Sequence, residues 1–163
     1  MIIKNVSRVA AALALVTLTA MSAQAQTATQ TVTFEVKAIN KISFAGTPSL
    51  TITTAVAGSA PTSVTDATAS WAVTTNQTGA KITASIPVDM VSGLTLSSNL
   101  IAPAGATSAG YTALSSVAAD LVTGITKLAQ GTLGVTYKLD ATAAAGVVAS
   151  DTRIVTYTIT GGT

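Results

Sequence analysis

Beyond residue 25, the apolar residues of this chain return at every second position. Thr, Ser or a charged residue fills the places between, and clusters of Gly, Pro, Asn and Asp interrupt the pattern at short intervals. Successive side chains of an extended backbone point to opposite faces, so this spacing builds strands with one dry side. A helix would need apolar residues recurring at about 3.6 positions, and no long stretch supplies them. Thr and Val also suit a pleated surface, because branching at Cβ restricts their rotamers least in extended backbone.

Read along the chain, the alternation predicts a half-buried strand over 29–39, with Val32, Phe34 and Val36 on one face and Thr31, Thr33, Glu35 and Lys37 on the other. KISF (41–44) predicts a second strand, and Ala45-Gly46-Thr47-Pro48 a turn, since proline fixes φ and removes a donor. Leu50 and Ile52 mark the next strand, and 55–69 is read as a connection across the end of a sheet. A hairpin follows. Residues 70–75 place Trp71 and Val73 inward, Asn76-Gln77-Thr78-Gly79 turns, and 81–86 returns with Ile82, Ala84 and Ile86 until Pro87 ends it.

Further strands are expected over 94–101, over 121–127 with a bulge at Gly124, over 134–139, and in the closing RIVTYTIT, where Val155, Tyr157 and Ile159 share a face. Residues 116–120 have room for a helical turn, and 141–148 reads as a connection, with one helical turn through its alanines as the alternative. Seven to nine short strands of this kind describe an all-β, antiparallel β-sandwich. A membrane barrel would need longer strands and aromatic girdles, which one Trp, three Tyr and two Phe are too few to make.

The first 25 residues have a different character. Lys4 and Arg8 precede an uncharged run from Val9 to Ala20, too short for the ~20 residues that cross a bilayer but ample for a secretion signal. Ala23 and Ala25 place small residues where a signal peptidase requires them, so cleavage is expected before Gln26. The chain is therefore read as a signal-peptide helix over 1–25 and a single domain over 26–163, exported to the periplasm, cell surface or extracellular space. An uncleaved amphipathic or buried helix is the competing reading. The expected mature chain is soluble or held non-covalently, with no stable membrane insertion.

Removing the leader also removes the basic character. Beyond it, Lys37, Lys41, Lys81, Lys127, Lys138 and Arg153 balance Glu35, Asp66, Asp89, Asp120, Asp140 and Asp151. Scattered, neutralised cations do not form the stripe that phosphate binding requires, so nucleic acid is not an expected partner. The chain has no cysteine and no histidine. Disulfides, thiolate metal sites and the commonest general base are thereby excluded, and neither a cofactor nor enzymatic activity is expected.

The five Asp residues stand singly, mostly beside turn signals, which favours backbone capping over paired-carboxylate hydrolysis. Trp71 alternates in step with Val73, favouring the core over a sugar-stacking platform. Asn76-Gln77-Thr78 matches a glycosylation sequon and is read as a turn. An amide crosslink from Lys37 promoted by Glu35 is disfavoured, because both lie on the polar side of an alternating run.

The segment from Gly146-Val147-Val148-Ala149 through Val155-Thr156-Tyr157-Thr158-Ile159-Thr160 resembles the end of small secreted bacterial β-sandwich domains, namely WxL-like cell-surface domains and spore-coat-protein-U-like or pilin-like modules. That resemblance implies an immunoglobulin-like sandwich used for surface attachment or assembly. The chain departs from it in having no WxL pair ahead of this strand and no cysteines of the kind many usher-pathway pilins carry, so no functional residues are carried over.

The expected role is accordingly structural or adhesive, with other copies of the chain or cell-envelope components as partners. A glycan-binding module is the alternative, and a hydrolase ranks below both. The first alternating run either pairs within its own sheet or extends into the edge of a neighbouring copy, where Val32, Phe34 and Val36 would form the strand-exchange interface.

Overall fold

The computed structural model describes residues 25–163, so the expected leader up to residue 24, Ala23 included, lies outside the described residues. One compact unit runs from Val36 to Thr163, and residues 25–35 belong to a separate unit. Among the described residues, nine strands form in the order β1 (Asn40–Ala45), β2 (Val64–Thr75), β3 (Ala80–Ser85), β4 (Leu94–Leu100), β5 (Thr107–Ser108), β6 (Thr112–Ala113), β7 (Ala119–Ile125), β8 (Leu128–Ala141) and β9 (Thr156–Thr160). They make two antiparallel sheets, ordered β1-β2-β8-β4-β6 and β5-β7-β3-β9. The unit from Val36 to Thr163 is therefore all-β and sandwich-like.

The core lies between the sheets and follows the alternation. Trp71 and Val73 of β2, Leu133 and Val135 of β8, and Leu96 and Leu100 of β4 come from one sheet. Ala80, Ile82 and Ala84 of β3 and Leu121, Val122 and Ile125 of β7 come from the other. Trp71 is only 2% exposed, and its indole N–H donates to the Ile101 carbonyl at 3.2 Å, so a large apolar ring is buried with its one polar atom satisfied.

Several expectations meet a different structure. No strand forms over 29–39. Leu50 and Ile52 also lie outside any strand, although Leu50 packs against the core. The expected connection over 55–69 is instead partly strand, because β2 begins at Val64. A bulge at Ala67 and Thr68 shifts its register against β8, which breaks the two-residue rhythm and hides the strand.

The hairpin across Asn76–Gly79 does not form. β2 already has β1 and β8 as neighbours, and β3 pairs with β7 and β9 in the other sheet. Residues 76–79 therefore carry the chain over the core, setting two buried faces opposite each other. After β2, every connection crosses from one sheet to the other. Residues 116–118 bend without a helical turn, whereas 143–145 form one short 3-10 turn. At Gly124 the expected bulge is present. Ala80 pairs with Ile125 and Ile82 with Val122, leaving Thr123 and a positive-φ Gly124 as the extra length on β7.

Candidate functional site

Two features stand at opposite ends of β2. At its C-terminal end, Asn76 grips the chain entering β1. The Asn76 side-chain amide donates to the Lys37 carbonyl at 2.7 Å, its Oδ1 accepts the Ile39 N–H at 2.8 Å, and its own N–H donates to the Ile39 carbonyl at 3.2 Å. One side chain thus imitates a stretch of strand pairing. Before this clamp the alternating run is bare: Val32, Phe34 and Val36 are 72%, 88% and 78% exposed. Ala25 and Gln26 are likewise exposed and in no strand. Burying such side chains would stabilise by roughly 1.5–3 kcal/mol each, so their exposure leaves a sizeable apolar surface unused.

At the N-terminal end of β2 lies a cleft of 620 Å3. Its apolar lining includes Leu50, Ile52, Leu94, Leu139 and Val148. It forms where the two edge chains leave their sheets. Phe44 of β1 and Tyr157 of β9 stack at 3.8 Å between ring centroids and close the side of the sandwich.

Beyond that contact, Gly46 turns the chain off β2 with a φ of +102°. A Cβ here would lie 2.8 Å from the Ala69 Cα, so only glycine allows this exit. Ser49 is then tied to β2 by its N–H to the Asp66 carboxylate at 2.8 Å. The cleft's flanks are Leu50–Thr54 on one side and Val147–Arg153 on the other. Among the described residues, no backbone hydrogen bond pairs 50–53 or 147–153 with another segment.

Arg153 sits in the cleft lining with its side chain 19% exposed. One Nη1 pairs with the Asp151 carboxylate and with the Thr152 carbonyl. Its buried Nε has no hydrogen-bond partner among the described residues. Apolar walls beside unpaired backbone make the cleft a place for an occupant with both apolar and hydrogen-bonding groups.

Titratable groups elsewhere are engaged in holding the fold. Thr68 and Ser49 hold the Asp66 carboxyl below its ordinary range by hydrogen bonding, and Ser63 does the same for Asp140, which also pairs with Lys138 at 3.0 Å. Carboxylates so stabilised are poor bases at neutral pH. Asp66, Asp120 and Asp140 stand within strands rather than in turns, and Asp89 and Asp151 lie in loops.

Across the core, the Tyr157 hydroxyl meets Tyr137 at 2.7 Å and Ser98 at 3.1 Å. Burial pushes both phenols above their ordinary pKa, so they remain protonated. Among the described residues, no group of three or more His, Cys, Asp or Glu is placed to hold a metal, and no helix is long and apolar enough to cross a membrane.

Trp71 lies in the core, which leaves no indole for a sugar platform. The cleft itself was hidden in the sequence, because its flanks lie far apart along the chain, at 50–54 and 147–153, and neither carries a motif. What signalled it was the apolar content of two segments, 50–52 and 147–148, that have no strand partner. Comparison with known proteins finds no matching family model, no matching curated protein and no matching solved structure.

Proposed function

We propose that this chain is an exported, immunoglobulin-like β-sandwich that serves as a structural or adhesive subunit of a cell surface or extracellular matrix, joining copies through its N-terminal segment. The observation that carries this reading is the bare alternation at Val32, Phe34 and Val36. A run patterned for a half-buried strand, lacking any strand partner, is a template for pairing with another chain. The secretory leader read from residues 1–25 supports export, and the chain's lack of cysteine means that main-chain pairing and apolar burial must supply the cohesion.

Sedimentation velocity of the chain beginning at Gln26 tests this. Species larger than a monomer are expected to grow with concentration, and the triple variant Val32→Ser, Phe34→Ser and Val36→Ser to stay monomeric. A parent chain that remains monomeric at every concentration, or polymers indifferent to the triple variant, would remove the reading.

A further inference from the structure

The exposed run and the apolar cleft have complementary needs, and chain length decides whether one molecule can satisfy both. Asn76 holds Lys37 and Ile39 beside Thr75, at the C-terminal end of β2. The cleft lies at the other end, where Val64 pairs with Leu139 and Leu94 with Ala141. The strand between them has twelve residues, which at ~3.3 Å per residue separates its ends by about 36 Å. From its anchor at Lys37, even a fully extended chain carries Val32 no farther than about 18 Å and Phe34 about 11 Å. A molecule cannot place these side chains in its own cleft. A second copy can.

We propose that the cleft between Leu50–Thr54 and Val147–Arg153 receives the Val32–Val36 segment of a second copy as an added strand, linking copies head to tail. The inference rests on the assembly reading above and adds the acceptor and its polarity. In the extended segment, Val32, Phe34 and Val36 recur about every 6.6 Å along one face, to meet the apolar lining that Leu50, Ile52 and Leu139 give the cleft. Thr31, Thr33 and Glu35 face outward. The backbone of residues 50–53 and 147–153, unpaired among the described residues, supplies donors and acceptors for the incoming main chain.

Because donor and acceptor occupy opposite ends, the contact is heterologous. It leaves one free donor and one free cleft on every dimer, so growth continues into a filament instead of closing as a symmetric pair.

A chain without native cysteine allows a clean mapping experiment. One preparation carries Phe34→Cys and a second carries Ile52→Cys, with Val148→Cys, at a more exposed wall position, as its replacement should Ile52→Cys not fold. A third carries Thr158→Cys, on the free edge strand β9. The preparations are mixed in pairs and oxidised, with folding confirmed by Trp71 fluorescence. The expected result is a disulfide-linked dimer of Phe34→Cys with the cleft variant, at least tenfold more abundant than with Thr158→Cys.

Polymers that crosslink through Thr158→Cys and not through the cleft would overturn this inference while leaving assembly through the segment intact. Chains that stay monomeric and uncrosslinked would remove both. A monomer whose cleft instead binds the apolar dye anilinonaphthalene sulfonate would overturn the strand as occupant in favour of a small apolar ligand.

Discussion

Tyr157 joins the two sheets at a point where no main-chain hydrogen bond can. Its ring stacks on Phe44, and its hydroxyl reaches Tyr137 of β8 and Ser98 of β4 across the core. Ser98 is fully buried, and Tyr157 is the partner of its hydroxyl among the described residues. Tyr157→Phe keeps the stack and the apolar area but strands that hydroxyl, so it is expected to cost about 1–3 kcal/mol. Urea unfolding followed by Trp71 fluorescence reads this as a lowered midpoint with an unchanged slope, and an unshifted midpoint would contradict the bridging role. At this scale the sequence was informative on burial. Alternation put Trp71, Val73 and Tyr157 on apolar faces, and all three contribute to the core or pack against it. It carried nothing about which hydroxyls would meet, because Ser98 and Tyr157 come together only through packing of opposite sheets.

Gly46 decides where β1 stops and the cleft begins. Its φ of +102° and the close approach of Ala69 leave no room for a side chain. Gly46→Ala is therefore expected to destabilise by about 1–3 kcal/mol through backbone strain and to reduce assembly, since the 50–54 flank would be displaced. Thermal unfolding together with the sedimentation profile checks both effects, and a variant matching the parent in each would contradict this account of the exit. β1, β4, β7 and β9 were legible as strands because each keeps its rhythm or has a single glycine marking its bulge. β2 was legible only in its second half, where Trp71 and Val73 alternate, because Ala67 and Thr68 break the period before it. The hairpin at 76–79 was misread for a different reason. Turn residues specify a reversal of direction, and the same Asn-Gln-Thr-Gly chemistry serves a tight hairpin or an arch between sheets. Competition for edges settled the matter, since both edges of β2 are taken by strands from elsewhere in the chain.

For the whole molecule, a segment that reads as a strand yet forms none within its own chain is the feature around which the functional reading turns. Residues 29–36 have β-branched and aromatic residues on one face and Thr and Glu on the other, which is a strand's pattern without a sheet. Local sequence supplied that pattern but not the partner, because pairing is decided by which edge is within reach. The clamp at Asn76 fixes Lys37 and Ile39 at one end of β2 while the cleft opens at the other, and this polarity makes the predicted product a filament with one free donor end and one free acceptor end. Amide hydrogen exchange over residues 29–36, compared between dilute monomer and concentrated polymer, separates the two states of the segment. The expected result is exchange at nearly unstructured rates in the monomer and protection comparable to β2 in the polymer. Protection already complete in the dilute monomer, or exchange as fast in the polymer as in the monomer, would contradict a strand completed by another copy.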